Sequence, residues 1–301
     1  MRNSDSKVIL VGDNPFHGIS HLSQERARTR SKASISSKEA TEVVYASLEN
    51  GADGFMFSVS DLTLSILEIM KEQKRFDSVE LYAIVPYAFE YVRIATQTGT
   101  PGLVKRFAKH IAVSGNIKAF MTGLKAVLTT EPEDLLNVYL AYELSRIKSS
   151  AGKHAKLVSL LLHEVVTDMA LGLGFDWLFE SYVDRLLRLG ITPGFNTRNF
   201  PYLVHKLEAW GIDAKKILVA TPFNKAGFQM NPSKEECEKT LSSLTSPIVL
   251  AISVLAAGYL KPLEALDYIA GLHNLKGVVA GVSTEQQARE LFQLFKTRLH
   301  D

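Results

Sequence analysis

The chain has 301 residues, 46% of them hydrophobic and 22% charged, with a formal net charge of +2. Such a composition fits a globular chain with a large core, and the charge is too small to argue for nucleic acid. No basic run marks a membrane patch, and the longest apolar stretch, "IVLAISVLAAGYL", has 13 residues, too few to span a bilayer. The polar start "MRNSDSK" does not resemble a signal peptide, and the single cysteine, Cys237, excludes an internal disulfide. The expectation is a cytoplasmic protein in which Cys237 is an inert structural thiol.

In chain order, the first strand signal is "KVILV" (7–11), followed by the long polar loop "GDNPFHGISH" and a helix at 37–50. "GFMFSV" (54–59) leads into a helix at 61–74, and "VELYAIV" (79–85) into one at 102–113. Residues 115–150 are surplus to this alternation. They hold a strong helix at about 133–148, opened by Pro132, and read as an insertion: extra outer packing, a lid or a surface for self-association. Then follow "KLVSLLL" (156–162) with a helix at 175–189, "TPGFN" (192–196) with one at 199–210, and "KILVAT" (216–221) with one at 233–245. "IVLAISV" (248–254) with a helix at 261–272 and "GVVAGV" (277–282) with one at 284–298 complete the chain.

Most of these strands are continuously apolar, as expected where a parallel sheet is covered on both faces. Ser36 with Glu39, Ser233 with Glu236 and Ser283 with Gln286 have the spacing of a capping box. Eight strands, each followed by a helix, describe a single α/β domain, a (β/α)8 TIM barrel with a helical insertion at 115–150.

A barrel of this kind carries its chemistry at the C-terminal ends of its strands. The candidates there are Asp13, Asn14 and His17 after strand one, and Ser58, Ser60 and Asp61 after strand two. Strand three offers Tyr87 and Glu90, strand four His163, Glu164 and Asp168, and strand five Asn196, Thr197, Arg198 and Asn199. Strand six adds Thr221, Asn224 and Lys225, strand seven Ser253 and Gly258, and strand eight Gly281, Val282, Ser283 and Thr284.

The second half of the barrel resembles the aldo-keto reductases. "KLVSLLLHE" looks like that family's fourth strand, whose catalytic histidine falls at His163. "ITPGFNTRNF" looks like its fifth strand, which meets the nicotinamide amide, and "ISVLAAGYL" like its seventh. "VVAGVSTEQQARE" looks like the eighth strand and the helix start that holds the cofactor's phosphate. The resemblance implies an oxidoreductase fold with NADP as cofactor. In the first half, the family's aspartate would fall near Met56 or Phe57 and its lysine near Val85 or Pro86, and "SVSDLTLSI" has no counterpart of its tyrosine. Carbonyl reduction draws on that tyrosine and lysine, so the residues leave the cofactor undefined.

Each candidate has two readings. His163 is an acid–base group or a satisfied core histidine. Glu164 points away from His163 if the strand continues through both. Asp13, His17 and His21 share a face only in a helical loop, which Pro15 and Gly18 oppose, so Asp13, Asn14 and His17 are read as substrate-binding residues rather than metal ligands. Arg198 suits a bidentate anion contact, and Lys225 suits a Schiff base if desolvated. Gly281, Val282, Ser283 and Thr284 form either a helix cap or an anion site, with Gly281 giving room for close approach and Gly258 a further amide. The expected function is an enzyme on a small anionic or phosphorylated substrate, with His163, Asp13 and His17 catalytic. A metal-assisted or Schiff-base lyase or isomerase and a non-catalytic binding barrel are the alternatives.

Overall fold

A computed structural model describes residues 7–18, 35–76, 79–86 and 132–299. Its strands are β1 (Val8–Gly12), β2 (Gly54–Ser58), β3 (Glu80–Val85), β4 (Lys156–Leu162), β5 (Thr192–Asn196), β6 (Leu218–Pro222), β7 (Ile248–Ile252) and β8 (Gly277–Gly281). They form one closed parallel barrel in sequence order. Closure is made by β1 and β8, which pair in register from Val8 opposite Gly277 to Gly12 opposite Gly281. The eight-strand expectation therefore holds, with ends shifted by a residue or two. β7 stops at Ile252 because Ser253 takes a positive φ of 53° that a strand cannot continue.

The helices among the described residues are α1 (Ser37–Glu49), α2 (Asp61–Glu72), α3 (Pro132–Ala151), α4 (Glu164–Leu173), α5 (Asp176–Arg188), α6 (Phe200–Ala209), α7 (Lys234–Ser243), α8 (Pro262–Ala270) and α9 (Glu285–Leu299). Ser36 and Glu39 close a full capping box on α1, and the Ser233 side chain accepts from the Glu236 amide on α7. Gly51, Gly190 and Gly211 end helices at positive φ, where a side chain would be strained. The short helix α4 between β4 and α5 carries no conventional cap signal, since its N-cap is His163. The helix expected inside the insertion, α3, packs against α2 and α5. The helix expected at 102–113 and the rest of the insertion up to residue 131 lie outside the described residues, as do Tyr87 and Glu90.

Strand alternation sorts the core into two layers. Ile9, Val11, Phe55, Phe57, Leu160, Leu162, Phe195 and Val219 point outward and pack under the helices. Leu10, Met56, Tyr82, Ile84, Leu161, Leu218, Ala220, Leu250 and Val279 fill the interior. Two positions beyond these interior residues, the same alternation turns Gly12, Ser58, His163, Ile252 and Gly281 toward the C-terminal mouth. The barrel interior is thus plugged mainly by apolar side chains, with Tyr82 and Ser159 among the polar members deeper in, before the polar groups of the rim.

Candidate active site

A cavity of about 1590 Å³ opens at this mouth. Its inner wall includes Asp13, Ser58, His163, Glu164, Asn196 and Arg198, and it runs outward along the turns after β7 and β8. Of the residues singled out in the sequence, Asp13, Asn14, His163, Asn196, Arg198, Lys225, Gly258, Gly281, Val282 and Ser283 line this one space.

Asp13 is 3% exposed. Its Oδ2 accepts the Ser58 amide at 2.7 Å and lies 3.0 Å from His17 Nε2. His17 itself stands behind Asp13 rather than on the cavity wall. The contact arises because Asn14–His17 form a 3-10 turn, with Gly18 at φ 67° as its C-cap. The expectation that Pro15 and Gly18 keep this loop non-helical is corrected: proline is compatible with the first turn, where its missing N–H has no partner to lose. Oδ1 of Asp13 has no partner among the described residues. Among those residues no cluster of three or more His, Cys, Asp or Glu is arranged to hold a metal, and His21 lies outside them.

His163 follows β4 directly, and its ring Nδ1 accepts the Val165 amide at 3.2 Å, capping α4. That contact requires Nδ1 to be unprotonated, so the ring proton of the neutral form sits on Nε2. Burial lowers the pKa of His163 from 6.5; the charges of Glu164 and Asp13 oppose that shift and Arg198 adds to it. His163 is therefore a neutral hydrogen-bond donor at the mouth.

Glu164 also lines the cavity. The strand ends at Leu162, so the alternation that would have turned Glu164 away no longer applies. Glu164 binds Arg198, with Nε 3.1 Å from Oε2 and Nη2 against Oε1. The bidentate carboxylate contact foreseen for Arg198 is thus made within the protein, leaving Nη1 for other partners. Asp168 on α4 secures the same loop: it accepts the Thr197 hydroxyl and, at 3.1 Å, the Arg198 amide. Beside this pair, Asn196 is 8% exposed, and its Oδ1 is buried without a hydrogen-bond partner. A buried acceptor left unpaired costs about 1–3 kcal/mol; Asn196 lines the cavity, so rotation of its side chain would offer this acceptor to a ligand donor.

Lys225 is exposed and pairs with Glu264 at 2.7 Å, so it does not offer the desolvated amine that a Schiff base needs. The β8 turn also differs from expectation. The cap of α9 is Thr284, whose Oγ1 accepts the Gln287 amide at 3.2 Å, while the Ser283 amide donates to Gln287 Oε1 at 3.0 Å. The capping pair is therefore Thr284 with Gln287, one residue beyond Ser283 with Gln286. Gly281 is exposed on the cavity wall, and a Cβ there would lie 2.7 Å from Pro15 Cδ, so a side chain at this position would displace Pro15. Thr284 is outside the cavity lining.

A nicotinamide dinucleotide fits this wall poorly. The β8 turn has the Ser283 amide committed to the Gln287 side chain. Among the described residues the outer wall sets Glu264, Asp267 and Glu290 against Lys225, Lys234 and Lys261, with no cationic excess to meet a pyrophosphate. Asn196 would serve the carboxamide end alone.

No family model matches the sequence, and no curated protein matches it. Solved structures do. One is a candidate aldo-keto reductase from Pseudomonas aeruginosa, with a TM-score of 0.57 and 11% identity over 98% of this chain and 91% of that one. A candidate 2,5-diketo-D-gluconic acid reductase B gives a TM-score of 0.51 and 12% identity over 98% of this chain and 87% of its own. The fold is that of an aldo-keto-reductase-like barrel. No described helix is long and apolar enough to cross a membrane.

Proposed function

We propose that the protein is an enzyme of oxidoreductase-like ancestry that binds a small, anionic, carbonyl-bearing molecule at the barrel mouth. The observation that carries this reading is the convergence of Asp13, His163 and Asn196 on one cavity wall: a carboxylate, a neutral imidazole N–H and an orphaned acceptor. The imidazole suits a carbonyl oxygen, and Asn196 suits a hydroxyl or amide donor.

Arg198 favours a negative charge on the ligand, since its Nη1 is unused by the Glu164 pair.

Thermal unfolding with a panel of small carbonyl acids and sugar phosphates tests the reading. A ligand at 100 times its Kd adds about 2.7 kcal/mol to stability, so a true ligand raises the melting temperature of the wild type and not of Asn196→Leu. Equal shifts in both proteins, or none in either, would contradict it. Binding without turnover would favour the non-catalytic alternative.

A further inference from the structure

We infer that the reaction at this mouth is a redox-neutral proton transfer on an α-hydroxy carbonyl compound, a reading that rests on the proposed carbonyl-binding role of the cavity. The inference starts from three unspent functions that face one space. Asp13 has one oxygen held twice and the other oxygen, Oδ1, without a partner among the described residues. His163 has Nδ1 fixed by the Val165 amide, so Nε2 carries the proton. Asn196 Oδ1 is an acceptor without a donor in a side chain that is more than nine-tenths buried.

An α-hydroxy carbonyl compound satisfies all three at once. Its carbonyl oxygen accepts from His163 Nε2–H, its hydroxyl donates to Asn196 Oδ1, and the C–H between them lies toward Asp13. Asp13 Oδ1 takes that proton. The C–H electron pair becomes the C=C bond of an enediolate, and the carbonyl π pair moves onto oxygen, where the imidazole N–H stabilises the charge. A neutral imidazole is an effective electrophile for this step, because it need not give up a strongly acidic proton. Returning the proton to the neighbouring carbon, with the matching shift of the hydroxyl proton, interconverts aldehyde and ketone. Returning a solvent-exchanged proton to the same carbon from the same face restores the substrate with its isotope exchanged. No electrons leave the substrate, so no nicotinamide takes part, in keeping with the poor fit of a dinucleotide to the β8 turn.

His17 is a positioning residue in this scheme. It touches Asp13 through Nε2 and fixes the carboxylate while standing off the cavity wall.

The experiment is proton NMR in deuterated buffer without nicotinamide. The probes are three- to six-carbon α-hydroxy aldehydes and ketones, each with and without a terminal phosphate. Wild type should exchange the α-proton of at least one probe for deuterium. Asp13→Asn, which keeps an acceptor for Ser58, should lower the rate at least 100-fold. His163→Asn should lower it comparably while preserving the helix cap. His17→Gln should lower kcat and shift its pH profile with KM little changed; a fall in stability alone would make His17 merely structural. A probe that raises the melting temperature yet shows no exchange would overturn the inference and leave the binding reading intact. No binding by any probe would remove both. Probe-dependent oxidation of NADPH without exchange would show a reductase and overturn it too.

Discussion

Asp13 and His17 are joined through Oδ2 and Nε2 at 3.0 Å, and the same oxygen accepts the Ser58 amide at the end of β2. One buried carboxylate therefore ties the first loop to the second strand at the rim. Asp13→Ala removes both acceptor contacts. The expected loss is about 1–3 kcal/mol, the cost of a buried donor left unpaired. Urea unfolding reads it, and Asp13→Asn should recover part of the loss. An Ala variant as stable as wild type would show that the tie contributes nothing.

His163 makes the native state sensitive to acid. Its folded pKa lies below the unfolded 6.5, so protonation favours the unfolded chain. This contribution is fully present above pH 6.5 and is lost as pH falls through the folded value. His163→Asn keeps a good N-cap and abolishes the titration. Its stability should therefore fall less than that of wild type between neutral pH and pH 5. Parallel curves would argue against a depressed pKa.

The start of α9 separates two neighbouring hydroxyls. Thr284→Ala removes the side chain that accepts the Gln287 amide and should cost about 1 kcal/mol. Ser283→Ala keeps its own amide bond to Gln287 and should cost little. The reverse order would restore the cap first read from the sequence.

Cys237 is 1% exposed, and its thiol approaches the Asn231 carbonyl at 3.4 Å. Burial, with Glu236 and Glu238 nearby, pushes its pKa up to about 11. The thiolate is the reactive form, so alkylation by iodoacetamide at pH 8 should be far slower in the native protein than in urea. Cys237→Ser should leave ligand binding at the barrel mouth unchanged. Rapid native alkylation would contradict the inert assignment.

The barrel was legible because most strands are apolar runs and most helices between them carry a glycine stop or a serine cap, and those signals are local. Asp13, His163 and Asn196 were legible as strand-end residues for the same reason. What local signals miss is competition between neighbours. Ser283 and Thr284 both suit an N-cap, and only the geometry after β8 selects Thr284. Gly281 reads as open space, and only the fold places Pro15 within 2.7 Å of where its side chain would begin. Glu164 was assigned to the far face because nothing local shows that β4 ends at Leu162 with a histidine as the next helix's cap. For Arg198 the sequence suggests an anion contact but not its partner, because Glu164 lies 34 residues earlier.

The account turns on a neutral His163 that presents Nε2–H to the cavity. Nitrogen-15 NMR of histidine-labelled protein at pH 7, assigned with His163→Asn, measures the protonation state and tautomer of this ring directly. The result expected is a neutral His163 with the proton on Nε2, titrating below pH 6.5. A charged ring at pH 7, or a neutral ring protonated on Nδ1, would contradict it.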